Sequence, residues 1–261
     1  MEELISHCIT ITHHVYKNNT ILPVTTLDPK TSVSSKMIIH KTNKRITVSF
    51  RGIIPCFSHF CTFITFYTVP LYEGRVYEPF LQRWNELKTE AIHYIKLAIQ
   101  EYPYAEVIIT GHSQGGAIAL LCGLHLIKHT SIIPTYIITI GCPRIGSNEF
   151  ANMYELLLGN KVIRVWNEYD IITDILPFWI GFRHIGHSIQ LKGDVLLKTK
   201  KEDSNLVKKL MYCLVNMEPH VVYQGKIMSE LNTFVMFTTI HRFLLCLLLL
   251  YLYNLIHSSI N

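Results

Sequence analysis

The sequence predicts an α/β fold with a mostly parallel central sheet flanked by helices. Two neighbouring segments carry this prediction. Residues 106–110 (EVIIT) form a short β-branched run typical of a buried parallel strand, and residues 117–127 (AIALLCGLHLI) are apolar on every side, as in a buried helix. A chain of 261 residues with 49% hydrophobic composition can bury the core of one such domain. No linker or repeat divides the chain, so we expect one domain over residues 1–232, followed by an apolar segment at 233–261.

The motif GHSQGG (111–116) lies between the predicted strand and the predicted helix, which is the layout of a nucleophile elbow. In such a turn the serine has a strained backbone, and Gly111 and Gly115 leave room for neighbouring chain to approach closely. The first amides of a helix have no partner within it and lie at its positive end, so the Gln114 amide suits a developing oxyanion. Ser113 is therefore the candidate nucleophile. The alternative interpretation is a glycine-rich turn with an incidental serine.

Five blocks of sequence occur in a characteristic order between residues 36 and 225. They are ITVSFRG (46–52), RVYEPFLQRW (75–84), GHSQGG (111–116), TIGCPRIGSNEF (139–150) and PHVVYQG (219–225). Together they resemble the class 3 (fungal-type) lipase family of α/β hydrolases. GHSQGG differs from the family's usual GHSLGG only at Gln114, whereas RVYEPF is a degraded form of the family's VHxGF segment, which opens a helix. The resemblance implies an α/β-hydrolase fold and ester hydrolysis without a cofactor, and it is less specific for the substrate.

The candidate catalytic acid lies after the nucleophile, because α/β hydrolases place serine, acid and histidine in that order. A serine at its ordinary pKa is a poor nucleophile and needs a base that is oriented by a carboxylate. Asp170 follows the strand-like run VIRVW (162–166), and it matches the family's catalytic aspartate. Glu168 and Asp174 are nearby alternatives, and the simpler interpretation of Asp170 is an aspartate in a turn.

The candidate base is His220, which lies in a block whose His, Tyr and Gly spacing resembles the family's catalytic loop. His184 and His187 correspond to a family segment that is not catalytic, and they follow Asp170 too closely to lie on a separate loop. These two histidines and His241 are the alternatives to His220.

A second oxyanion donor is implied by the resemblance, which assigns it to the backbone amide of Ile53, beside that of Gln114. Each such donor typically contributes about 3 kcal/mol of transition-state stabilisation. Family members commonly carry Ser or Thr at this position, where isoleucine keeps only its N–H group. This difference predicts either slower turnover or a catalytically weak protein.

The region between the oxyanion loop and the RVYEPF block, residues 54–72, is aromatic and nearly free of charge. In the family this region carries the lid. The apolar face of the lid covers the enzyme when the lid is closed and contacts lipid when it is open. We therefore predict a lid here. The alternative is a buried strand pair, because Thr, Phe, Ile and Tyr all favour strands.

The N-terminus and the cysteines both indicate an intracellular protein. MEELISHCITIT has acidic residues where a secretory signal has basic ones, so no signal peptide is predicted. The seven cysteines are odd in number and show no disulfide-like framework. We expect the pair His13 and His14 to lie on the surface of a strand.

The sequence supports neither a metal nor a nucleic acid as partner. There is no HExxH motif or paired CxxC, and the 14 histidines are scattered. The net charge of +5 is modest, and the lysines of residues 191–210 are interrupted by Asp and Glu. We interpret them as a solvated loop, with attraction to anionic lipid headgroups as the alternative.

The C-terminus departs from the family because an apolar segment follows the catalytic block. Residues 234–256 could span a bilayer by length, but His241 and Arg242 would lie near the middle, where an arginine disfavours insertion by about 2.5–3.5 kcal/mol. We favour a membrane anchor formed by a C-terminal helix. A helix lying on the membrane surface and a helix packed on the core are the two alternatives.

These features together predict a serine carboxylic-ester hydrolase acting on glycerolipids at a membrane or lipid-droplet surface. Triacylglycerol, diacylglycerol and phospholipid all fit, because the shape of the acyl groove decides among them. One alternative is a lipase-fold interaction protein that has lost turnover. Another is a soluble esterase for small esters.

Overall fold

The computed structural model describes residues 1–16, 24–27, 37–52, 67–176, 178–192, 195–198, 209, 222–223 and 226–227. Its α-helices are α1 (Glu2–Tyr16), α2 (Glu78–Glu101), α3 (Gln114–His129) and α4 (Asn148–Leu158). Its strands are β1 (Val24–Leu27), β2 (Met37–Lys41), β3 (Arg45–Phe50), β4 (Thr68–Leu71), β5 (Gly74–Tyr77), β6 (Glu106–His112), β7 (Tyr136–Ile140), β8 (Gly146–Ser147), β9 (Val162–Asn167), β10 (Phe182–Arg183), β11 (His187–Lys192), β12 (Val195–Lys198), β13 (Val222–Tyr223) and β14 (Lys226–Ile227).

The central sheet has eight strands in the order β1-β2-β3-β6-β7-β9-β11-β12. The pairings from β3 through β6, β7 and β9 to β11 are parallel. The outer pairings β1-β2, β2-β3 and β11-β12 are antiparallel, so the sheet is mixed with a parallel centre. The sequence prediction of a central sheet with a buried strand at residues 106–110 is confirmed, since these residues lie in β6.

Helices cover both faces of the central sheet. The two faces alternate along each strand, and in β6 Ile109 packs into the core beneath α2, α3 and α4, whereas Ile108 packs into a second core beneath α1. Both side chains are fully buried. The predicted apolar helix at residues 117–127 lies within α3, which is buried along most of its length and contacts β6, β7 and α2.

Helix α1 corrects one prediction from the sequence. His13 and His14 lie in this helix, so their assignment to a strand surface was wrong. The β-branched run ITIT favours a strand by propensity, but the buried positions follow a helical spacing. They are Leu4, Ile5, Cys8, Ile9, Ile11, Thr12, Val15 and Tyr16. Burial of this face against the sheet outweighs local propensity.

A smaller four-stranded sheet has the order β10-β8-β5-β4. Its strand β4 covers residues 68–71 of the predicted lid and pairs with β5, which follows that region. β4 is only partly buried, unlike the buried strand pair of the alternative interpretation. Residues 54–66 of the lid lie outside the described residues. Directly after β5, helix α2 begins at Glu78 with a proline in its first turn, which confirms that the RVYEPF block opens a helix.

Three other sequence predictions, Ile53, His220 and the C-terminal segment 233–261, lie outside the described residues. Within the described ranges, no helix combines the length and the apolar character needed to cross a membrane. In the central sheet the carboxyl ends of β3, β6, β7 and β9 lie at one edge. Because these strands run in the same direction, the loops that follow them leave the sheet at this edge.

Candidate active site

The turn between β6 and α3 has the geometry of a nucleophile elbow. Ser113 lies between them with φ 57° and ψ −126°, a left-handed backbone that is unfavourable for a residue with a side chain. A Cβ added to Gly111 would lie 2.2 Å from the Gly115 carbonyl oxygen, and one added to Gly115 would lie 2.1 Å from that of Phe50. The two glycines therefore permit the close approach of β3, β6 and α3 that holds the serine in its strained conformation.

Backbone hydrogen bonds hold Ser113 at the carboxyl edge of the sheet. Its N–H group donates to the Ile140 carbonyl at 2.9 Å, and its own carbonyl accepts from the Gly116 N–H group at 2.9 Å. Ser113 is partly exposed, whereas the following Gln114 is buried at the first position of α3. The Gln114 amide belongs to the first turn of the helix, whose N–H groups have no carbonyl partner within it.

Asp170 lies in the loop after β9 and is fully buried. Its Oδ1 atom accepts a hydrogen bond from the Ile172 N–H group at 3.0 Å, and its Oδ2 atom accepts one from the Tyr223 hydroxyl at 2.7 Å. Asp170 and Ser113 are both adjacent to one segment at the end of β7. Ile140 binds the Ser113 amide, and a Cβ added to Gly141 would lie 2.8 Å from Asp170 Oδ2.

Gly141 adopts φ 54°, a left-handed conformation that glycine reaches without strain. A Cβ here would also lie 2.7 Å from the Tyr223 hydroxyl oxygen. Glycine thus leaves space for the carboxylate and the phenol to lie side by side. The sequence prediction treated Tyr223 only as part of a motif, and its contact with Asp170 was missed.

Tyr223 is buried beside the carboxylate, and it also packs edge-on against His112, with 5.7 Å between the ring centroids. Burial, followed by the negative charge of Asp170, raises the pKa of Tyr223 well above its usual range. The hydroxyl therefore stays protonated and donates to Asp170 across the neutral pH range. In the sequence Tyr223 comes three residues after His220.

A second tyrosine, Tyr16, connects α1 to the loop after β3. Its hydroxyl oxygen accepts a hydrogen bond from the Gly52 N–H group at 2.8 Å and lies 2.9 Å from His112 Nδ1. The Arg51 guanidinium lies over the Tyr16 ring, 5.1 Å from its centroid. Burial raises the pKa of Tyr16, so the phenol keeps its proton. This residue was not singled out from the sequence, where 36 positions separate it from Gly52.

The loop after β3 closely approaches the nucleophile. A Cβ added to Gly52 would lie 3.1 Å from Ser113 Cβ and 2.7 Å from the His112 carbonyl oxygen. Gly52 immediately precedes Ile53, the predicted second oxyanion donor. Tyr16 therefore fixes the backbone immediately before that residue.

The alternative acid Asp174 lies in a buried ion cluster. Its carboxylate oxygens lie 2.6 Å from Arg144 Nη2 and 2.6 Å from Lys209 Nζ. Burial alone would raise the pKa of Asp174, but the charges of Lys209 and Arg144 outweigh it and lower the pKa. Two buried cations balance the charge of this carboxylate, so Asp174 is suited to hold structure rather than to orient a histidine. The other alternative, Glu168, is partly buried in the turn before Asp170.

The alternative bases occupy different environments. Burial, together with the charges of Arg164, Arg144 and Lys209, lowers the pKa of His184 well below its usual range. His187 is exposed at the start of β11, which is the amino end of a strand parallel to β9 and therefore faces away from Ser113. His241 lies outside the described residues.

In the portion of the chain that the structure describes, no group of three or more His, Cys, Asp or Glu side chains could hold a metal ion. The functional groups described at this edge of the sheet are the serine, the carboxylate, the phenols and the helix amides. These groups suit activation of a hydroxyl nucleophile and stabilisation of negative charge.

Comparison with known proteins bears on the family and the fold of the chain. The family model described as Lipase (class 3) matches residues 41–179. Among curated proteins, a lipase of Rhizomucor miehei is 34% identical over 128 residues, which cover 48% of this chain and 35% of the relative. A secreted mono- and diacylglycerol lipase 1 of Fusarium solani is 29% identical over 187 residues, which cover 70% of this chain and 55% of the relative. The chain thus spans only part of the length of these curated relatives.

Solved structures share the fold. A lipase from Rhizopus microsporus var. chinensis superposes with a TM-score of 0.73 at 22% identity, over 87% of this chain and 88% of that one. A lipase-propeptide complex of Rhizomucor miehei gives a TM-score of 0.71 at 22% identity, over 88% of this chain and 83% of that one. At this level of identity the likeness establishes the α/β-hydrolase fold.

Proposed function

This chain belongs to the class 3 lipase family, and we propose that it hydrolyses carboxylic esters of glycerolipids with Ser113 as the nucleophile. One observation carries the proposal. The strained Ser113 backbone and the buried Asp170 carboxylate are both held against the segment Ile140–Gly141 at the carboxyl edge of the sheet. A glycine-rich turn with an incidental serine gives no reason for this neighbouring carboxylate.

The proposed base is His220, with Asp170 as the residue that orients it. Support comes from Tyr223, which follows His220 by three residues and donates its hydroxyl proton to Asp170 Oδ2. Because only two residues separate them in the sequence, we propose that His220 reaches the same carboxylate. The Tyr223 hydrogen bond also fixes one oxygen of Asp170, so that the carboxylate has a defined orientation toward a histidine.

The reaction follows from these roles. Ser113 Oγ attacks the ester carbonyl carbon while His220 takes the hydroxyl proton, and the carbonyl π electrons move to oxygen. When the C–O bond of the tetrahedral intermediate breaks, His220 returns the proton to the leaving alcohol, and an acyl-enzyme is left. Water then attacks this ester with the same groups in reverse, which releases the carboxylic acid and restores Ser113.

The backbone amides of Gln114 and Ile53 are the proposed donors to the oxyanion. Gln114 is supported by its position in the first turn of α3, and Ile53 by the closeness of Gly52 to Ser113. Isoleucine supplies no hydroxyl that could hold its own loop. We propose that the hydrogen bond from the Gly52 amide to the Tyr16 hydroxyl holds this loop instead. This contact favours an active enzyme over a weakened one.

The proposed substrates are acyl esters of glycerol, as the name of the Fusarium solani relative, a mono- and diacylglycerol lipase, indicates for that protein. We assign hydrolysis to residues 1–232, a lid to residues 54–72, and contact with a membrane or lipid droplet to the apolar segment 233–261. We propose an intracellular location from the cysteine content alone, because the seven cysteines show no disulfide-like framework. The Fusarium solani relative is named as secreted, so cell fractionation of the tagged chain is the direct test of that location.

Labelling by a fluorophosphonate probe tests the nucleophile. We expect the purified full chain to label, and Ser113→Ala to abolish labelling, because only an activated serine reacts with this probe. The exposed Ser131 provides a matched control, and Ser131→Ala should label as the wild type does. Labelling that survives in Ser113→Ala would reject the assignment.

The partners of the nucleophile require a second comparison. Asp170→Asn should lower the rate of ester hydrolysis by about four orders of magnitude, as wrongly oriented bases do in serine hydrolases, and His220→Ala should be as severe. His187→Ala is the matched histidine control and should keep full activity, because His187 is exposed at the opposite end of the parallel strands. A catalytically silent wild type in both lipid and detergent would instead favour the interaction protein, which Ile53 and the altered RVYEPF block motivate.

A further inference from the structure

Three neighbouring large apolar side chains project from a short 3₁₀ turn, Phe178–Ile180, which follows the Asp170 loop. Phe178 is 61% exposed, Trp179 40% and Ile180 47%. Single exposed apolar residues are common on protein surfaces, but three in succession, including two aromatic rings, indicate a surface that meets a partner. The function proposed above assigns no role to this turn, which we call the FWI turn.

The FWI turn is supported on both sides. Leu176 before it is fully buried, and Phe182 after it is buried at the start of β10. The Gly181 N–H group closes the turn by donating to the Phe178 carbonyl at 2.9 Å. The rings of Phe178 and Trp179 pack edge to face, with 5.4 Å between their centroids. The apolar side chains are therefore presented by a defined turn rather than by a loose end.

Space around the turn is open on its C-terminal side. Gly181 adopts φ 92°, and a Cβ built on it would meet nothing within 4 Å. An open position next to exposed aromatic rings suits a broad, deformable partner surface better than a narrow pocket within the protein.

The charge of the flanking sequence selects among partners. No acidic residue occurs from position 175 to 193, whereas the chain as a whole carries 19. The cations of this stretch are Arg183 and Lys192, and both are exposed. The Glu155 carboxylate, which contacts this stretch, accepts a hydrogen bond from the Gly186 N–H group at 2.6 Å. Aromatic side chains beside exposed cations match the interface of a lipid layer, where rings enter the headgroup level and cations meet phosphate.

We propose that Phe178, Trp179 and Ile180 insert into the surface of a lipid layer and dock the protein on it. The turn is firmly connected to the candidate active site. The Leu176 carbonyl, two residues before Phe178, accepts a hydrogen bond from Arg144 Nη1 at 3.1 Å, and Arg144 also binds Asp174 in the turn that follows Asp170. Docking through the FWI turn therefore fixes the acid loop relative to the lipid surface. That last consequence rests on the proposed hydrolase function, whereas docking itself does not.

Tryptophan fluorescence gives a direct probe of the docking. Of the three tryptophans, Trp84 and Trp166 are only 3% and 4% exposed, so Trp179 is the one that a lipid surface can reach. The probe is the full chain carrying Ser113→Ala, mixed with phosphatidylcholine vesicles with or without phosphatidylglycerol. We expect a blue shift of the emission and quenching by brominated phosphatidylcholine, and Trp179→Phe should remove both changes. Emission that does not respond to vesicles would overturn the proposal. The same result is expected if the apolar segment 233–261 already covers the turn, and that case would also overturn it.

Substitutions separate the FWI turn from other apolar surface. The double variant Phe178→Ser/Ile180→Ser should weaken vesicle partitioning by roughly tenfold or more, because two large side chains no longer leave water. Tyr104→Ser is the matched control, since Tyr104 is 97% exposed but lies before β6, at the end of the sheet opposite Ser113. The control should partition as the parent does. Equal partitioning of the double variant and the parent, with equal quenching of Trp179, would reject docking through this turn.

Two further readouts complete the test. Arg183→Gln should reduce partitioning by roughly fivefold on vesicles with phosphatidylglycerol and little on phosphatidylcholine alone. A loss that is independent of lipid charge would contradict the assigned role of this cation. In the Ser113-containing chain, Phe178→Ser/Ile180→Ser should retain hydrolysis of a dissolved short-chain ester. Vesicle docking by a chain that hydrolyses no ester would refute the proposed function alone, whereas ester hydrolysis without any Trp179 response would refute the docking alone.

Discussion

Tyr16 makes a helix at the start of the chain part of the catalytic machinery that we propose. Its hydroxyl is the acceptor for the Gly52 amide, directly before Ile53, and it also lies against His112, the neighbour of Ser113. A single phenol thus contacts the segments on both sides of the proposed oxyanion. It positions these segments without touching the substrate.

Replacing Tyr16 by phenylalanine should therefore reduce kcat more than KM. The Gly52 amide would lose its buried acceptor, which costs about 1–3 kcal/mol, and the loop would no longer hold the Ile53 amide in place. We expect kcat for a soluble ester to fall about tenfold, because misplacing one oxyanion donor forfeits part of its contribution of roughly 3 kcal/mol. Steady-state kinetics provides the measurement.

Tyr154→Phe is the control for this prediction. The Tyr154 hydroxyl also donates a buried hydrogen bond, to the Leu120 carbonyl at 2.8 Å, but it lies between α3 and α4. Its loss should lower the free energy of unfolding by a similar amount while kcat stays near the wild-type value. Similar losses of kcat in both variants would show that Tyr16 acts through stability alone.

At the scale of elements, the turn that follows Asp170 is held by a cation from a later part of the chain. Lys209 Nζ lies 2.6 Å from Asp174 Oδ2 and 3.2 Å from Thr173 Oγ1. The Thr173 hydroxyl in turn donates to the Asp170 carbonyl at 2.7 Å. Lys209 also lies over the Trp166 ring on β9, 4.9 Å from its centroid. One lysine therefore connects the strand, the acid and the turn.

Lys209→Met should destabilise the protein by about 3–5 kcal/mol, because it leaves a buried carboxylate with one of its two cations. The matched control is Lys41→Met, which breaks an ion pair of the same 2.6 Å length with Glu101 at a more exposed site. That change should lower the free energy of unfolding much less, because exposed ion pairs contribute little to stability. Urea unfolding of both variants gives the comparison, and equal losses would contradict a structural role for the buried cluster.

The elements that could be predicted from the sequence are those specified by neighbouring residues. The elbow depends on a strand, two glycines and a helix within about twenty positions, so its pattern is local. The acid loop follows a strand whose apolar run is also local. The assignment of His13 and His14 to a strand was wrong, because the preceding ITIT run favours extended backbone and only packing on the sheet selects the helix.

The contacts that the sequence did not predict connect distant positions. Tyr16 and His112 are 96 positions apart, and Tyr223 and Asp170 are 53 apart. No pattern within one segment specifies such pairs, because they arise from the order of strands in the sheet. The FWI turn was not predicted either, because Phe, Trp and Ile are typical core residues. Only the fold shows that these three side chains are exposed.

For the whole molecule, acid should weaken the fold in two stages. Burial lowers the pKa of four described histidines, and it lowers that of His184 most. The other three are His7, His40 and His125. An unfolded histidine takes up its proton near pH 6.5. The unfolded state therefore binds more protons just below that pH, and the stability that is present above about pH 6.5 is lost as the pH falls. Asp174 acts lower, because its lowered pKa contributes stability that is lost only below its unfolded value near 3.9.

Unfolding by urea between pH 7.5 and pH 5 measures the first stage. Each such histidine contributes up to about 1.4 kcal/mol of lost stability per pH unit. His184→Gln should flatten the dependence, whereas the exposed His187→Gln should leave it as in the wild type. A slope that His184→Gln leaves unchanged would show that this histidine does not contribute to the pH dependence.

Helix α1 also contacts β14, the last described strand, so the two ends of the described fold meet. A nascent chain emerging from the ribosome presents α1, the elbow and Asp170 long before Tyr223 and β14 have been synthesised. The carboxylate then lacks its phenol, and the helix lacks one of its neighbours. We expect the polypeptide to hydrolyse esters only after translation has passed residue 227. Incompletely synthesised chains would then not hydrolyse lipid.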